Sequence, residues 1–341
     1  DLHKLAAPLL ETFDLVRIDR RYRTPRPLPR PQEEAYIVAG SFVKFLIETF
    51  GMGKFRELYA ASPFTPGERV FGLKVRDYLK VTAPHEGWDD VTFGDVLSMA
   101  TGIGDRYPQP SPNKMFIDGG NPNDRRYREA KAAEDKLKAI LSYGNYPWGP
   151  GKVVRYISNQ TFLLSAAMDS FLKSREGPKA NIWTMLRDEV YRPIGIHYPF
   201  IWRTVETGGK PGIPLIAAGM ILTLEDAAKI AMLLRDGGVH KGKQLLSKSK
   251  IDEALFRIPG LGLDRGTKSG CEAGRYHMSF YLDGSETIRP GCHARGVYAS
   301  GWGGNQIVFT DNGVVALRFA DAFQNSVTPL LRAADLVKPL R

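Results

Sequence analysis

Cysteine is nearly absent, with two in 341 residues, Cys271 and Cys292. That excludes a disulfide-stapled scaffold, and the two lack the CxxC spacing of a zinc or dithiol site. Two readings stay open for the pair: free thiols, or one bridge closing a glycine-rich loop in an oxidising compartment. Long apolar runs are also missing. The stretch from Ile213 to Leu224 is broken by Pro214 and Gly219, and no run reaches the ~20 residues that span a bilayer. His85-Glu86 is followed by Gly87, Trp88 and Asp89, so the zinc-peptidase HExxH is absent. No Walker A loop exists. Gly260, Gly262 and Gly266 miss the dinucleotide spacing. GxSxG is missing too, which argues against an α/β-hydrolase elbow. The six histidines show no metal-ligand spacing.

What remains is an ordinary globular composition, 43% hydrophobic and 25% charged. The chain is long enough for a large core, as two domains or one with an insertion. Lys plus Arg outnumber Asp plus Glu by 47 to 37, a net charge of +10. The excess is dispersed. Its densest cluster, with Arg20, Arg21, Arg23 and Arg26 among prolines, lacks the interleaved aromatics of a single-strand binding face. A basic, soluble surface is expected, and no nucleic-acid partner.

The periodicity predicts helix over residues 36–60. Thr92 is a good N-cap with Asp95 at the capping-box position, for a helix from Phe93 to Met99. Charged helix is expected over Arg125–Leu141, and apolar-striped helix over Ser158–Lys173. Further helices are read at Ile182–Tyr191, from the Thr223 cap to Leu234, from Ser247 to Phe256, and at Thr328–Val337. Strands are read at Tyr276–Leu282, Gly296–Ser300, Gln306–Thr310 and Val314–Ala320, with a hairpin turn at Asp311-Asn312-Gly313. Residues 106–124 and 259–275 read as long loops.

One tetrad carries chemistry: Ser41-Phe42-Val43-Lys44. On a helix, positions i and i+3 share a face, so the amine lies near the hydroxyl. Partial burial makes such a lysine easier to neutralise and able to act as a base. The helix N-terminus adds free N–H groups for an oxyanion. Alone, the tetrad is a weak signal, since SxxK occurs by chance in many chains of this length, and it reads more readily as a helix whose Ser and Lys are incidental.

Downstream segments add context. VTFGDVLSMATGIGD (91–105) resembles the VTxxxLLxxTSGI stretch of serine β-lactamase-like proteins, a family including class C β-lactamases, penicillin-binding DD-peptidases and esterases. PGKVVRYISNQTFLLSAAMD (150–169) is similar to the segment holding that family's Tyr-x-Asn motif. LRDEVYRPIGI (186–196) and AAGMILTLEDAAKIAMLLRDGGVHKGKQLLS (217–247) match further stretches in order. YASGWGGNQIVFTDNGVVALRFAD (298–321) resembles the segment with the Lys/His-x-Gly strand motif. The likeness covers roughly residues 70–325.

This resemblance implies an α/β fold, an antiparallel sheet flanked by helices with a mostly helical insertion. The sheet domain would be 1–79 and 205–341, and the inserted domain 80–204. It implies metal-independent serine acyl transfer on a small-molecule or peptide ester or amide, without cofactor. Ser41 would be the nucleophile, Lys44 its base and Tyr156 a proton relay. The Ser41 and Trp302 amides would form the oxyanion hole, with Ser300 and Gly301 lining the acyl pocket. Ser158 stands where the family has Asn, and Asn159 follows, so either Tyr156 or Ile157 fills the tyrosine slot; both Ser158 and Asn159 are candidate binding residues. Ala299 replaces the usual cation of the strand motif, which disfavours penicillin-type carboxylates. A periplasmic or secreted location goes with the family and with a Cys271–Cys292 bridge. Two rival readings remain. Residues 33–59 also resemble the tail helix of gluzincin metallopeptidases, which would make Ser41 and Lys44 structural. The shifted tyrosine and altered strand motif fit an inactive scaffold that binds a peptide, glycan or protein.

Overall fold

The computed structural model describes residues 72–79, 86–104, 122–157, 159–216, 219–269, 272–289, 292–321 and 326–340. The tetrad, the 36–60 helix and the gluzincin-like segment lie outside them.

Helix α1 (Phe93–Leu97) starts as expected. Thr92 Oγ1 accepts from the Asp95 N–H at 3.1 Å, and the Asp95 carboxylate accepts from the Thr92 N–H at 2.9 Å. Such a cap stabilises by about 1 kcal/mol. The helix ends at Leu97, two residues earlier than the sequence reading, because Met99 turns to φ +52°. A short strand β1 (Ile103–Gly104) pairs with β2 (Gly144–Asn145).

The charged helix predicted over Arg125–Leu141 is two: α2 (Pro122–Glu129) and α3 (Ala133–Leu141). Tertiary partners cause the break. Val205 N–H donates to the Lys131 carbonyl, and Glu206 Oε1 accepts from the Ala133 N–H. Helix α4 (Gln160–Glu176) is buried on every side from Gln160 to Asp169, not along one stripe, which makes it the centre of the helical region. Its buried polar groups are partnered: Ser165 Oγ donates to the Pro214 carbonyl, and Asp169 accepts from the Ile182 N–H and pairs with Lys173. Helix α5 (Ile182–Met185) widens into a π-helical stretch, Leu186–Tyr191, before Pro193.

Short pairs follow: β3 (Phe200–Ile201) with β6 (Met220–Ile221), β4 (Arg203–Val205) with β5 (Pro211–Pro214), and β7 (Val239–His240) with β8 (Lys243–Gln244). Helix α6 (Leu224–Arg235) is capped by Thr223, as read; α7 (Lys248–Ala254) follows Ser247.

The main sheet is a six-stranded antiparallel meander: β9 (Leu263–Ser269), β10 (Glu272–His277), β11 (Phe280–Arg289), β12 (Cys292–Gly301), β13 (Asn305–Phe309) and β14 (Val315–Arg318). Two expectations are corrected. The predicted strand Tyr276–Leu282 is a hairpin, turning at Met278 and Ser279 with φ of +55° and +69°. The 259–275 loop is largely β9 and β10. Neither turn residue is Gly or Asn, so the turn was hidden. Positive φ costs such residues about 1–2 kcal/mol each. Burial of the Met278 side chain and a 3.0 Å bond from the Ser279 N–H to the Leu97 carbonyl offset it. Thus the hairpin tip ties the sheet to α1.

One sheet face joins the main core through Leu282, Val297, Ala299, Ile307 and Phe309. On the other, Ala294, Tyr298 and Val308 pack with Leu330 and Leu331 of the final helix α8 (Thr328–Val337) and with Val327 and Leu340 on either side of it. Among the described residues no helix is long and apolar enough to cross a membrane.

Candidate active site

Two chain segments fix the position of Tyr156. Thr101 Oγ1 donates to Gln160 Oε1 at 2.9 Å, and Gln160 Nε2 donates to the Ile103 carbonyl at 2.7 Å, all three buried. Backbone bonds run beside them: Arg155 N–H to the Met99 carbonyl, Gly151 N–H to Ala100, and Tyr146 N–H to Gly102. Gly102 has φ +68°, and a Cβ there would lie 2.3 Å from the Gly149 carbonyl carbon, so only glycine fits. The 99–104 segment thereby clamps the approach to α4.

Along that approach the side chains alternate, as in an extended chain. Arg155 lies over the rings of Tyr146 and Trp148, 5.4 and 5.9 Å from their centroids, and those two rings stack on each other. Ile157 is 3% exposed, inside the main core. Val154 and Tyr156 point the other way, to a cluster with Met99 and Tyr276. The side chain turned toward the sheet at this point is therefore Tyr156, with Ile157 a packing residue. Asn159 is buried, and its Nδ2 donates to the Tyr143 hydroxyl. Ser158 lies outside the described residues, as do Ser41 and Lys44.

Tyr156 meets an aromatic row. Register aligns Leu263, Tyr276, Tyr281, Tyr298, Val308 and Ala316 across all six strands, hence on one face. The Tyr156 ring is edge-on to Tyr276 at 6.1 Å and stacked with Tyr281 at 6.4 Å. Tyr276 and Tyr281 are 4.8 Å apart, and Tyr281 stacks on Tyr298 at 5.1 Å. Each such pair adds about 0.5–1.5 kcal/mol beyond area burial. The Arg265 guanidinium lies 4.9 Å from the Tyr281 centroid and is paired with Asp283, whose other oxygen accepts from the Tyr298 hydroxyl at 2.6 Å. Burial, before any charge effect, pushes the Tyr276, Tyr281 and Tyr298 phenols above their ordinary value, so they stay neutral.

Ser300 follows Tyr298 by two residues on the same face. Strand β11 begins at Phe280 with Tyr281 opposite Tyr298, so β12 runs past the start of β11 by Ser300 and Gly301. These two pair with Gln306 and Asn305 of β13. A tight turn, Trp302–Gly304, joins β12 to β13, with Gly303 and Gly304 at φ +78° and +92°. The Trp302 backbone is described; its side chain lies outside the described residues. Ala299, where a cation was missing from the motif, is buried in the main core.

The structure thus brings Tyr156 to the sheet face that carries Ser300. The sequence reading missed Tyr276, Tyr281 and Arg265 because they lie on strands taken for loop or for one unbroken strand, and Asp283 because β11 runs on past the predicted strand end at Leu282. Among the described residues no three His, Cys, Asp or Glu side chains gather as a metal site.

No known family profile matches the sequence. No curated protein matches it either. Solved structures do. A Bacillus anthracis protein described as a 6-aminohexanoate-dimer hydrolase is 16% identical, with a TM-score of 0.57 over 89% of this chain and 70% of its own. An octameric penicillin-binding protein homologue from Pyrococcus abyssi is 13% identical, with a TM-score of 0.52 over 89% of this chain and 65% of its own. A family VIII carboxylesterase is 15% identical, with a TM-score of 0.53 over 89% and 82%. At such identities the likeness is one of fold, and the chain has the β-lactamase/transpeptidase fold.

Proposed function

We propose that this chain is a metal-independent serine acyl hydrolase of small neutral esters or amides. Ser41 Oγ attacks the carbonyl carbon and gives its proton to the neutral Lys44 amine. The amides of Ser41 and Trp302 hold the oxyanion. Collapse expels the alcohol or amine, which takes a proton through the Tyr156 phenol. Water then cleaves the acyl ester, releasing the acid and restoring Ser41. Ser300 and Gly301 line the acyl side, with Ser158 and Asn159 beside the tyrosine. The site lies between a sheet domain, 1–79 and 205–341, and an inserted domain, 80–204.

The observation that carries this reading is the alternation at residues 154–157. It turns Tyr156, not Ile157, toward the sheet face shared with Ser300. The neighbours named a hydrolase of an amide dimer and a carboxylesterase agree in reaction type. Neutral substrates are favoured because the strand motif has Ala299 instead of a cation, and Arg265 is paired with Asp283. A periplasmic or secreted location fits the same reading; a Cys271–Cys292 bridge, detected as absence of free thiol in the denatured protein, would support it.

The test is intact-mass analysis after treatment with a fluorophosphonate. One adduct on Ser41, lost in Ser41→Ala, is expected, together with turnover of a p-nitrophenyl ester. No adduct and no turnover would sink the proposal and leave a binding scaffold.

A further inference from the structure

The turn proposed to carry the oxyanion amide is clamped from the edge strand β14. Register aligns Ser300, Gln306 and Arg318 in one row across β12, β13 and β14. From β14, Arg318 Nε donates to the Gly304 carbonyl at 3.1 Å, and its Nη2 donates to Gln306 Oε1 at 2.7 Å. Gln306 is fully buried. The residues just past that strand add two restraints. The Ala320 N–H donates to Asn305 Oδ1 at 2.9 Å, and the Ala320 carbonyl lies so close to Gly303 that a Cβ there would approach it to 2.7 Å.

These contacts have a purpose that packing alone does not supply. A turn with glycine at two of its three positions, both at positive φ, is intrinsically the most permissive backbone available. An oxyanion donor works only if it is already aimed before charge develops. A loose glycine turn would spend that advantage. Arg318 suits the task because its planar fork reaches two acceptors at once, one on the turn and one on the strand that follows it.

We propose that Arg318 is a positioning residue, holding the Trp302–Gly304 turn so that the Trp302 amide is fixed for the oxyanion. This rests on the acyl-hydrolase reading. The oxyanion exists only along the reaction, so loss of the clamp lowers kcat and leaves KM in place.

The experiment uses the full chain with Arg318→Gln and Arg318→Lys, a p-nitrophenyl ester as substrate, and fluorophosphonate titration to count functional sites. Per titrated site, Arg318→Gln is expected to lower kcat about 10-fold, short of the ~100-fold or more seen when an oxyanion donor is removed outright. KM should stay within about twofold, and the pH profile should not move, since Lys44 and Tyr156 are untouched. Arg318→Lys, which keeps the charge but lacks the planar fork, should fall between. Amide hydrogen exchange supplies a readout independent of turnover: residues 301–305 should exchange about 10-fold faster in Arg318→Gln, with α4 unchanged. An active wild type whose Arg318→Gln variant keeps kcat per site, or loses kcat and KM together, overturns the role of Arg318 and leaves the acyl-hydrolase reading intact. A wild type with no Ser41 adduct and no turnover overturns both.

Discussion

Lys136 is the place where the fold works against itself. It lies on the inner side of α3, 6% exposed, with Ala133, Leu137 and Ile140 buried on the same helix. Its amine donates to the Tyr127 carbonyl at 2.7 Å and sits 4.3 Å from the centre of the Tyr127 ring. Burial pushes its pKa down from 10.5 to about 8. A base held below its unfolded pKa makes the charged native state costly. Below pH 8 both states carry the proton and the native state bears the full penalty. Between pH 8 and 10.5 the native state releases the proton while the unfolded chain keeps it, so stability from this group rises with pH. At about 1.4 kcal/mol per pH unit the rise is about 2–3 kcal/mol by pH 10. Lys136→Met removes the charge and keeps the length. At pH 7 it regains the penalty but gives up a cation–π contact, about 1 kcal/mol, and the bond to the Tyr127 carbonyl, about 1 kcal/mol. A net gain of about 1 kcal/mol is expected there. At pH 10 the order reverses, because the wild type holds a neutral amine still bonded to the carbonyl. Urea unfolding followed by tryptophan fluorescence at pH 7 and 10 measures both proteins. A difference in stability that stays constant within about 0.5 kcal/mol across that range would refute the reasoning.

Four further outcomes follow from the same structure. Tyr156→Phe keeps the stacking on Tyr276 and Tyr281 but loses the phenol oxygen, so ester kcat/KM should fall about 100-fold or more; retention of activity would remove the tyrosine from the mechanism. Asp283→Asn leaves the Arg265 charge, 8% exposed, without its counter-charge, and should cost about 3 kcal/mol in urea unfolding, against about 1 kcal/mol for Tyr298→Phe, which removes one hydroxyl bond. Gly102→Ala meets both a positive φ and the Gly149 backbone, and a loss of at least about 2 kcal/mol is expected from thermal unfolding. Ala299→Lys restores the family's cation in name only: the residue is 2% exposed beside Ile307, so lower stability is expected and no gain in penicillin acylation, read by mass.

Local chemistry was legible wherever one residue decides the backbone. Thr92 and Asp95 cap α1, Thr223 caps α6, and Asn312 bonds the Val314 N–H across the turn between β13 and β14. The final helix has the range its periodicity predicts. What misled was structure decided at a distance. Nothing between Arg125 and Leu141 is a helix breaker; the break comes from Val205 and Glu206, some seventy residues on, which bond Lys131 and Ala133. Strands β9 and β10 (LDRGTKS and EAGRYH) lack alternating apolar residues and owe their form to pairing with neighbours in the meander. The hairpin tip at Met278-Ser279 carries neither Gly nor Asn, and its cost is met by α1.

The candidate site divides along the same line. The motif segments pointed to Tyr156 and the end of β12 as candidates, since spacing within a motif survives in a single sequence. Which of Tyr156 and Ile157 faces the sheet was open, because a one-residue shift reverses every side chain of an extended segment. The structure resolves it through Arg155, whose stacking on Tyr146 and Trp148 holds one side, while Val154 holds the other. The supporting groups were out of reach for a different reason. Tyr276, Tyr281 and Tyr298 become a row only when three strands are in register, and Arg318 finds Gly304 only when β14 returns beside β13. Candidates for reaction can be read from motifs; the residues packed around them are set by register, and register is a property of the folded sheet.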